Sequence, residues 1–188
     1  MKAQMWFFAA LGSLLLLTGC PYESKVPLTT PRPGSLDPRL FGTWVGTGGA
    51  EADSNRILVV PFNDAEYFIE LTEKNGTVSR YRAVGLDVGG QPFLQINEVS
   101  EEIPGKSFSL ARYTLAPGGR LSVRLVGEKI VPKDLAADAK GLLGFVAAHL
   151  NNPELDDEDT LLQLLSSDSG RASPPKGGTQ GGEGGGGE

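Results

Sequence analysis

The sequence predicts a mainly β domain, an antiparallel meander that closes into a small barrel or half-barrel and is followed by one or two C-terminal α-helices. Three observations lead to this prediction. Short apolar or alternating runs, separated by turn residues, fill the first two thirds of residues 37–165. Tight turns between consecutive runs are typical of a meander, and closure removes its exposed edges. After residue 132 the apolar spacing becomes helical.

The N-terminus has the features of a secretory signal peptide. Lys2 supplies a positive charge, and residues 5–17 are apolar apart from Gly12 and Ser13. A transmembrane helix needs about 20 apolar residues, and this stretch is shorter. We therefore predict a signal peptide at residues 1–19.

The apolar run stops at the only cysteine of the chain. Leu17-Thr18-Gly19-Cys20 resembles the bacterial lipobox, which implies cleavage between Gly19 and Cys20 and acylation of the Cys20 thiol. At about 0.8 kcal/mol per buried CH₂, two or three acyl chains would anchor the protein to a bilayer. An ordinary signal peptide with an incidental cysteine is the alternative. Because Pro21 stands where Gram-negative lipoproteins carry an inner-membrane retention Asp, this resemblance implies an envelope protein of the outer membrane, if the source is Gram-negative.

The charge balance argues against nucleic acid as a partner. The chain has 17 Lys and Arg against 23 Asp and Glu, and it contains no basic cluster. Nucleic-acid backbones are bound largely through Lys and Arg, so we expect no nucleic acid binding. One cysteine cannot form an internal disulfide, so the folded part must be stable on its own core.

Both ends of the mature chain differ in composition from a folded domain. Residues 20–36 are rich in proline and lack periodicity, which predicts an extended, lipidated tether that lifts the domain off the membrane. Residues 166–188 are Gly-rich and nearly free of apolar side chains, so they cannot offset the entropy of ordering. The sequence therefore predicts a folded domain at residues 37–165 and a disordered tail after it.

The strands are predicted in chain order from short runs. The segment "EYFIELTE" places Tyr67, Ile69 and Leu71 on one face, and Asn75-Gly76 after it is a strong hairpin signal. The other strand candidates are "LFGTWVG", "RILVVPF", "VSRYRAVGLDV", "PFLQINEV", "SFSLARYTLA" and "RLSVRLVGE". Together they give a meander of about seven strands.

The run "SFSLARYTLA" changes its apolar phase. Phe108 and Leu110 share one face of the predicted strand, whereas Tyr113 lies on the other. A β-bulge near Ala111 or Arg112 would bring these side chains to a common face, so we expect strong bending there.

The first strand carries a motif. Gly42-Thr43-Trp44 resembles the Gly-x-Trp opening of lipocalins and the wider lipocalin-like group. The resemblance implies a lipocalin-like barrel in which Trp44 closes the floor and Gly42 lets the chain pass close by. The alternative is that Trp44 is simply a large core residue on a strand, which predicts the same fold.

The last third predicts helices. "DLAADAKGLLGFVAAHL" has apolar residues at helical spacing, with Asp134 after Pro132 as a candidate N-cap. Asn151-Asn152-Pro153 ends this helix. "LDDEDTLLQLL" predicts a second short helix with acidic residues at its positive end.

Patterns for catalysis or metal binding are absent from the sequence. His149 is the only histidine, which excludes a histidine-based metal cluster, and its position at a helix end favours a structural role. The acidic run 156–159 lacks EF-hand spacing, and no nucleophile elbow or phosphate-binding loop occurs. We therefore expect no enzymatic activity, no cofactor and no metal.

Three functions are compatible with this sequence. The first is a lipid-anchored envelope protein that carries a small apolar molecule in a lipocalin-like barrel. The candidate lining residues are those with polar tips on the meander: Tyr67, Tyr81, Arg82, Arg112 and Tyr113. The second is a structural lipoprotein that docks an envelope protein. The third is a carboxylate-dependent hydrolase, since such enzymes need no histidine.

Overall fold

A computed structural model describes residues 20–47, 55–99, 107–156 and 160–166, which form a nine-stranded sheet with one α-helix. The strands are β1 (Glu23–Ser24), β2 (Gly42–Gly46), β3 (Arg56–Pro61), β4 (Tyr67–Thr72), β5 (Val78–Val88), β6 (Gln91–Glu98), β7 (Phe108–Ala116), β8 (Arg120–Leu125) and β9 (Thr160–Ser166). The helix α1 (Ala139–Ala148) lies between β8 and β9 in the chain.

Eight of the nine strands close into an antiparallel barrel. Each strand from β2 to β7 pairs with the next one along the chain. The ring closes because β9 pairs with both β8 and β2, while β1 pairs with β7 as an addition to the ring. The predicted barrel-forming meander with a helix in the last third is confirmed, and its architecture is lipocalin-like.

Strand alternation directs the side chains into two apolar cores. The inner core fills the barrel and includes Trp44 and Tyr67. The outer core lies between the barrel wall and the segments that cover it, and it includes Phe93 and Leu110 from the wall and Val146 from α1. Part of the sheet is therefore apolar on both faces, as in sheets that are covered on both sides.

The two cores explain the change of phase in β7. The register of β7 against β6 and β8 is continuous through Ala111 and Arg112. Leu110 belongs to the outer core and Tyr113 to the inner core. The predicted bulge is therefore wrong, because the outer face of β7 buries its own apolar residues and needs no realignment. A register shift occurs instead in β2, where it faces β9.

The helix begins later than the sequence predicts. Lys133–Ala137 forms a 3-10 turn that contains Asp134, and the N-cap is Asp138, whose carboxylate accepts a backbone N–H of the first turn at 2.9 Å. At the other end, Nδ1 of His149 lies 2.8 Å from the carbonyl oxygen of Phe145, and the two rings stack. These contacts give His149 a structural role at the helix terminus.

The second predicted helix is a strand. Residues 160–166 form β9, which occupies the gap between β8 and β2. Leu162 is buried in the inner core, whereas Leu161 faces outwards and is 53% exposed. The helix prediction fails here because pairing with two distant strands outweighs the local spacing of the leucines.

The segment predicted to be a free tether lies against the barrel. Tyr22 and Leu28 are buried in the outer core, and β1 pairs with β7. The backbone N–H groups of Leu28 and Thr29 donate to Oε1 of Gln95 at 2.5 and 3.0 Å. We call residues 20–36 the strap. The prediction of a spacer is wrong for this segment, because its side chains and backbone groups are used to cover the barrel wall.

Two predicted segments fall outside the described residues. They are the signal peptide, residues 1–19 with Gly19 at its end, and the tail, of which only Ser166 is described. Within the described ranges, the structure contains no helix with the length and apolar character needed to cross a membrane.

Candidate functional site

One end of the barrel is closed by residues 37–41, which we call the plug. Leu40 and Phe41 of the plug are buried in the inner core together with Trp44. The indole Nε1–H of Trp44 donates to the carbonyl oxygen of Leu40 at 2.8 Å, and the side chain is fully buried. Gly42 has a φ of 139°, a conformation that favours glycine. The Gly-x-Trp motif thus lies where the chain turns from the plug into the barrel wall.

Asp37 is the polar centre of the plug. Its backbone N–H donates to the hydroxyl oxygen of Tyr67 at 2.5 Å, and its carboxylate lies 3.5 Å from the hydroxyl of Tyr113, at the limit of a hydrogen bond. Arg39 pairs with the same carboxylate at 2.6 Å. The side-chain hydrogen bond from Arg39 lowers the pKa of Asp37. Because the Arg39 side chain is 73% exposed, solvent screens this pair and its contribution to stability is small.

Two of the predicted lining tyrosines face the plug. Tyr67 and Tyr113 are 1% and 8% exposed and belong to the inner core. Burial is the main cause that raises the pKa of both phenols, and the negative charge of Asp37 adds to it; for Tyr113 the pKa rises to about 12. Both groups are therefore neutral at physiological pH, and the structure uses them to hold the plug in place.

Tyr81 lies further from the plug than the other two interior tyrosines. It shares a strand face with Ala83 of the inner core and is half-buried. Burial is the main cause that raises the pKa of Tyr81, and the charges of Glu98 and Glu73 add to it. The structure therefore places a neutral phenol on the inner face, toward the end of the barrel that the plug does not close.

Several apolar side chains that pack against the inner core are only half-buried. Three of them are Ile57 on β3, Ile96 on β6 and Val123 on β8. Trp44 and Tyr67, beside the plug, are almost fully buried. The inner face of the barrel therefore contains both fully buried side chains and partly accessible apolar ones. Such a surface with a nearby polar group is typical of sites for apolar ligands.

The two predicted lining arginines point away from the interior. Arg82 forms an ion pair with Glu66, and its guanidinium carbon lies 4.0 Å from the ring centroid of Phe62. Arg112 forms an ion pair with Asp156, in the segment that follows α1. Both arginines therefore fasten surface segments to the outer wall, and we correct their assignment as interior residues.

Three residues that shape the site were not predicted from the sequence. Asp37 and Leu40 form the polar and apolar parts of the plug, and the buried side chain of Gln95 holds the strap on the outer wall. A signal for the plug was present, because Asp37 followed by Pro38 is a common way to begin a helical turn, and the structure shows this cap. Gln95 carries no comparable signal, since its partners are backbone groups distant in sequence.

The described part of the chain holds no group of His, Cys, Asp and Glu side chains that is suited to a metal ion. No protein-family model, curated protein or solved structure matches the sequence significantly. The fold and the chemistry of the barrel interior therefore carry the functional argument.

Proposed function

We propose that this protein binds a small apolar molecule in its barrel while it is anchored to the bacterial cell envelope. The observation that carries the proposal is the closed barrel, whose inner face is apolar and includes half-buried side chains. Barrels of eight strands are wide enough to hold either their own side chains or one small ligand. The half-buried residues Ile57, Ile96 and Val123 are the candidate contact surface.

Tyr81 is the candidate polar contact for the ligand. The phenol is neutral at physiological pH, and burial raises its pKa above the ordinary value, so that it can donate a hydrogen bond to a carbonyl or hydroxyl oxygen. Tyr67 and Tyr113 contact the plug, whereas the side-chain hydrogen bond of Tyr81 is to Ser79, two residues away on the same strand. We therefore expect a mainly apolar ligand with one hydrogen-bonding group.

The anchor rests on the resemblance of Leu17-Thr18-Gly19-Cys20 to the lipobox. It is supported by the position of Cys20, which is exposed and therefore open to modification. Acylation of Cys20 would hold the barrel at a membrane of the envelope, the outer membrane if the source is Gram-negative. Intact mass under denaturing conditions tests this step, because the acyl chains add mass to the wild-type protein and none to the Cys20→Ala variant.

Native mass spectrometry of the protein purified from its own envelope tests ligand binding. We expect an additional lipid-sized mass that disappears under denaturing conditions. Ile57→Trp places a large side chain in the half-exposed part of the inner core and should abolish this mass. Leu58→Trp is the matched control, because the neighbouring residue of the same strand faces outwards.

Circular dichroism must first show that both variants fold, since overpacking costs about 1–3 kcal/mol. If Ile57→Trp unfolds, the smaller change Ile96→Phe takes its place. The proposal fails if the wild-type protein carries no additional mass after extraction in several mild detergents. It also fails if Leu58→Trp loses this mass as readily as Ile57→Trp.

Docking of an envelope protein is the second candidate function. It is favoured by the outward leucines of β9, Leu161 and Leu165, which are 53% and 58% exposed. A photo-crosslinking residue at position 161 should then trap a reproducible partner in cells, and the same residue at Lys74, on a turn across the barrel, should not. Equal crosslinking of the partner from positions 161 and 74 would count against a specific docking surface.

A further inference from the structure

We infer that the anchor attaches directly to the folded barrel, so that the surface around Cys20 rests on the lipid bilayer without a spacer. This inference rests on the proposed acylation of Cys20 and adds the orientation of the domain. It follows from the contacts of the strap, which begin at the anchored residue itself.

The first residues of the strap are bonded to the segment that follows β8. The carbonyl oxygen of Cys20 accepts the backbone N–H of Glu128 at 3.1 Å, and Pro21 forms a β-bridge with Gly127. The backbone N–H of Tyr22 donates to the carbonyl oxygen of Val126, the residue before Gly127, at 2.8 Å. The acylated residue would therefore be part of the folded structure.

Buried side chains reinforce this attachment. The ring of Tyr22 lies in the outer core, and its hydroxyl donates to the carbonyl oxygen of Pro132 at 2.9 Å. Ser24 is fully buried, and the backbone N–H of Lys25 donates to the carbonyl of Ala136 at 2.7 Å. Release of this part of the strap would expose a tyrosine and leave buried polar groups without partners, which opposes detachment.

The remainder of the strap is held at intervals up to the plug. Leu28 and Thr29 bond to Gln95 on the barrel wall. Further on, the backbone N–H of Gly34 donates to the carbonyl oxygen of Asp64 at 2.8 Å, and Asp37 is bonded to the inner core. No interval between these contacts is long enough to separate the barrel from the anchor.

A free tether and a bonded strap would place the barrel at different distances from the bilayer. A free proline-rich tether rises about 3.1 Å per residue, so residues 20–36 would allow a separation of about 50 Å. The bonded strap keeps the segment after β8 within reach of the headgroups. That segment carries Glu128 and Lys129, and Lys129 forms an exposed ion pair with Glu154, after α1, at 2.6 Å; these charges can remain solvated at a headgroup surface.

Two lysines provide a matched pair of probe positions. Lys129 lies in the segment bonded to the start of the strap, and Lys74 lies in the turn between β4 and β5. In the ring of eight strands β4 is four places from β8 in either direction, so the two positions lie on opposite sides of the barrel. Because acylation would block the thiol of Cys20, Lys129→Cys or Lys74→Cys would supply the only free thiol for labelling.

The experiment measures energy transfer from a donor dye on either cysteine to acceptor-labelled lipids. The acylated full-length mature protein is reconstituted into vesicles of phosphatidylethanolamine and phosphatidylglycerol. We expect clearly stronger transfer from position 129 than from position 74. Insertion of a flexible Gly/Ser spacer of about 10 residues between Cys20 and Pro21 should remove most of this difference, because the r.m.s. span of such a spacer is about 17 Å.

The outcomes separate this inference from the proposed anchor. Intact mass first reports whether each labelled protein is acylated, and an unacylated protein that does not bind vesicles overturns the anchor and the orientation together. An acylated protein with equal transfer from both positions, unaffected by the spacer, overturns the orientation alone. Both substitutions are at exposed positions, and circular dichroism should show an unchanged fold.

Discussion

Trp44 links the plug to the barrel through a fully buried indole and one hydrogen bond to Leu40. Trp44→Phe retains most of the apolar contact but leaves the carbonyl of Leu40 without its donor, so we expect a loss of about 1–3 kcal/mol in the free energy of unfolding. Trp44→Ala also opens a cavity and should cost about 3–5 kcal/mol. Urea titration followed by circular dichroism measures both losses. Equal losses for the two variants would show that the indole ring adds no packing beyond its N–H.

The tyrosines predict how stability depends on alkaline pH. The pKa of each of the four phenols is raised from the ordinary value of 10.0, with burial as the main cause, and that of Tyr113 rises to about 12. A phenol with a raised native pKa stabilises the fold fully below pH 10, and this contribution is lost as the pH rises toward the native pKa. Stability should therefore fall between about pH 10 and 12.

Tyrosinate absorbance checks this prediction directly. The native protein should ionise its tyrosines well above pH 10, whereas the protein in denaturant should ionise them near the ordinary value of 10.0. Tyr113→Phe should make the alkaline loss of stability smaller. A native titration centred at the denatured value would contradict the burial of these phenols.

The positions of the candidate lining residues show what strand alternation can decide from sequence. Tyr81 and Arg82 are neighbours on β5, and Arg112 and Tyr113 are neighbours on β7, so only one member of each pair can face the interior. In both pairs the tyrosine faces inwards and the arginine forms an ion pair outside. Strand alternation alone therefore places the two arginines outside the barrel once the tyrosines are assigned to its interior. The contact of Tyr67 with Asp37 could not be predicted in this way, because it depends on where the plug lies.

At the scale of single elements, β9 gives the sharpest test of the barrel. Leu162 faces the inner core, and Leu161 beside it is exposed. Leu162→Asp would bury an unpaired charge and should unfold the protein or cost several kcal/mol, whereas Leu161→Asp should change stability by less than about 0.5 kcal/mol. Thermal or urea unfolding of the two variants provides the comparison. Similar losses for both would argue against a strand at this position.

The elements that were predicted correctly are those specified by local residues. Asn75-Gly76 forms the turn between β4 and β5, with a φ of 88° at Gly76, as the hairpin signal requires. The leucines at 161, 162, 164 and 165 fit a helical spacing equally well, and only the gap between β8 and β2 makes them a strand. The same holds for Leu110, which is buried outside the barrel in a core that also includes residues of the strap and of α1, segments distant in sequence.

At the scale of the whole molecule, composition placed the start of the folded domain too late. Residues 20–36 lack the periodicity of a helix or strand, which suggested a spacer. Periodicity marks regular structure, but a strap can be fixed by a few side chains and backbone hydrogen bonds. Here the strap is fixed by the buried side chains of Tyr22 and Leu28 and by its hydrogen bonds to Gln95. No local sequence pattern predicts these contacts.

Deletion of the strap tests whether it belongs to the domain. A chain that begins at Asp37 loses two buried apolar side chains, Tyr22 and Leu28, and uncovers the wall around Gln95. Each buried side chain contributes about 2–5 kcal/mol, so this deletion should lower the free energy of unfolding by several kcal/mol or prevent folding.

Two further variants make the result of the deletion specific. Leu28→Ala in the full mature chain should cost about 2–5 kcal/mol, and it keeps the test informative if the truncated chain does not fold. Removal of residues 167–188, which composition predicts to be a disordered tail, should change the urea midpoint little. If deletion of the strap were as harmless as removal of the tail, residues 20–36 would act as a spacer, and the barrel would not rest on the bilayer. A large loss confined to the strap variants would instead make the start of the mature chain, beside Cys20, part of the folded domain.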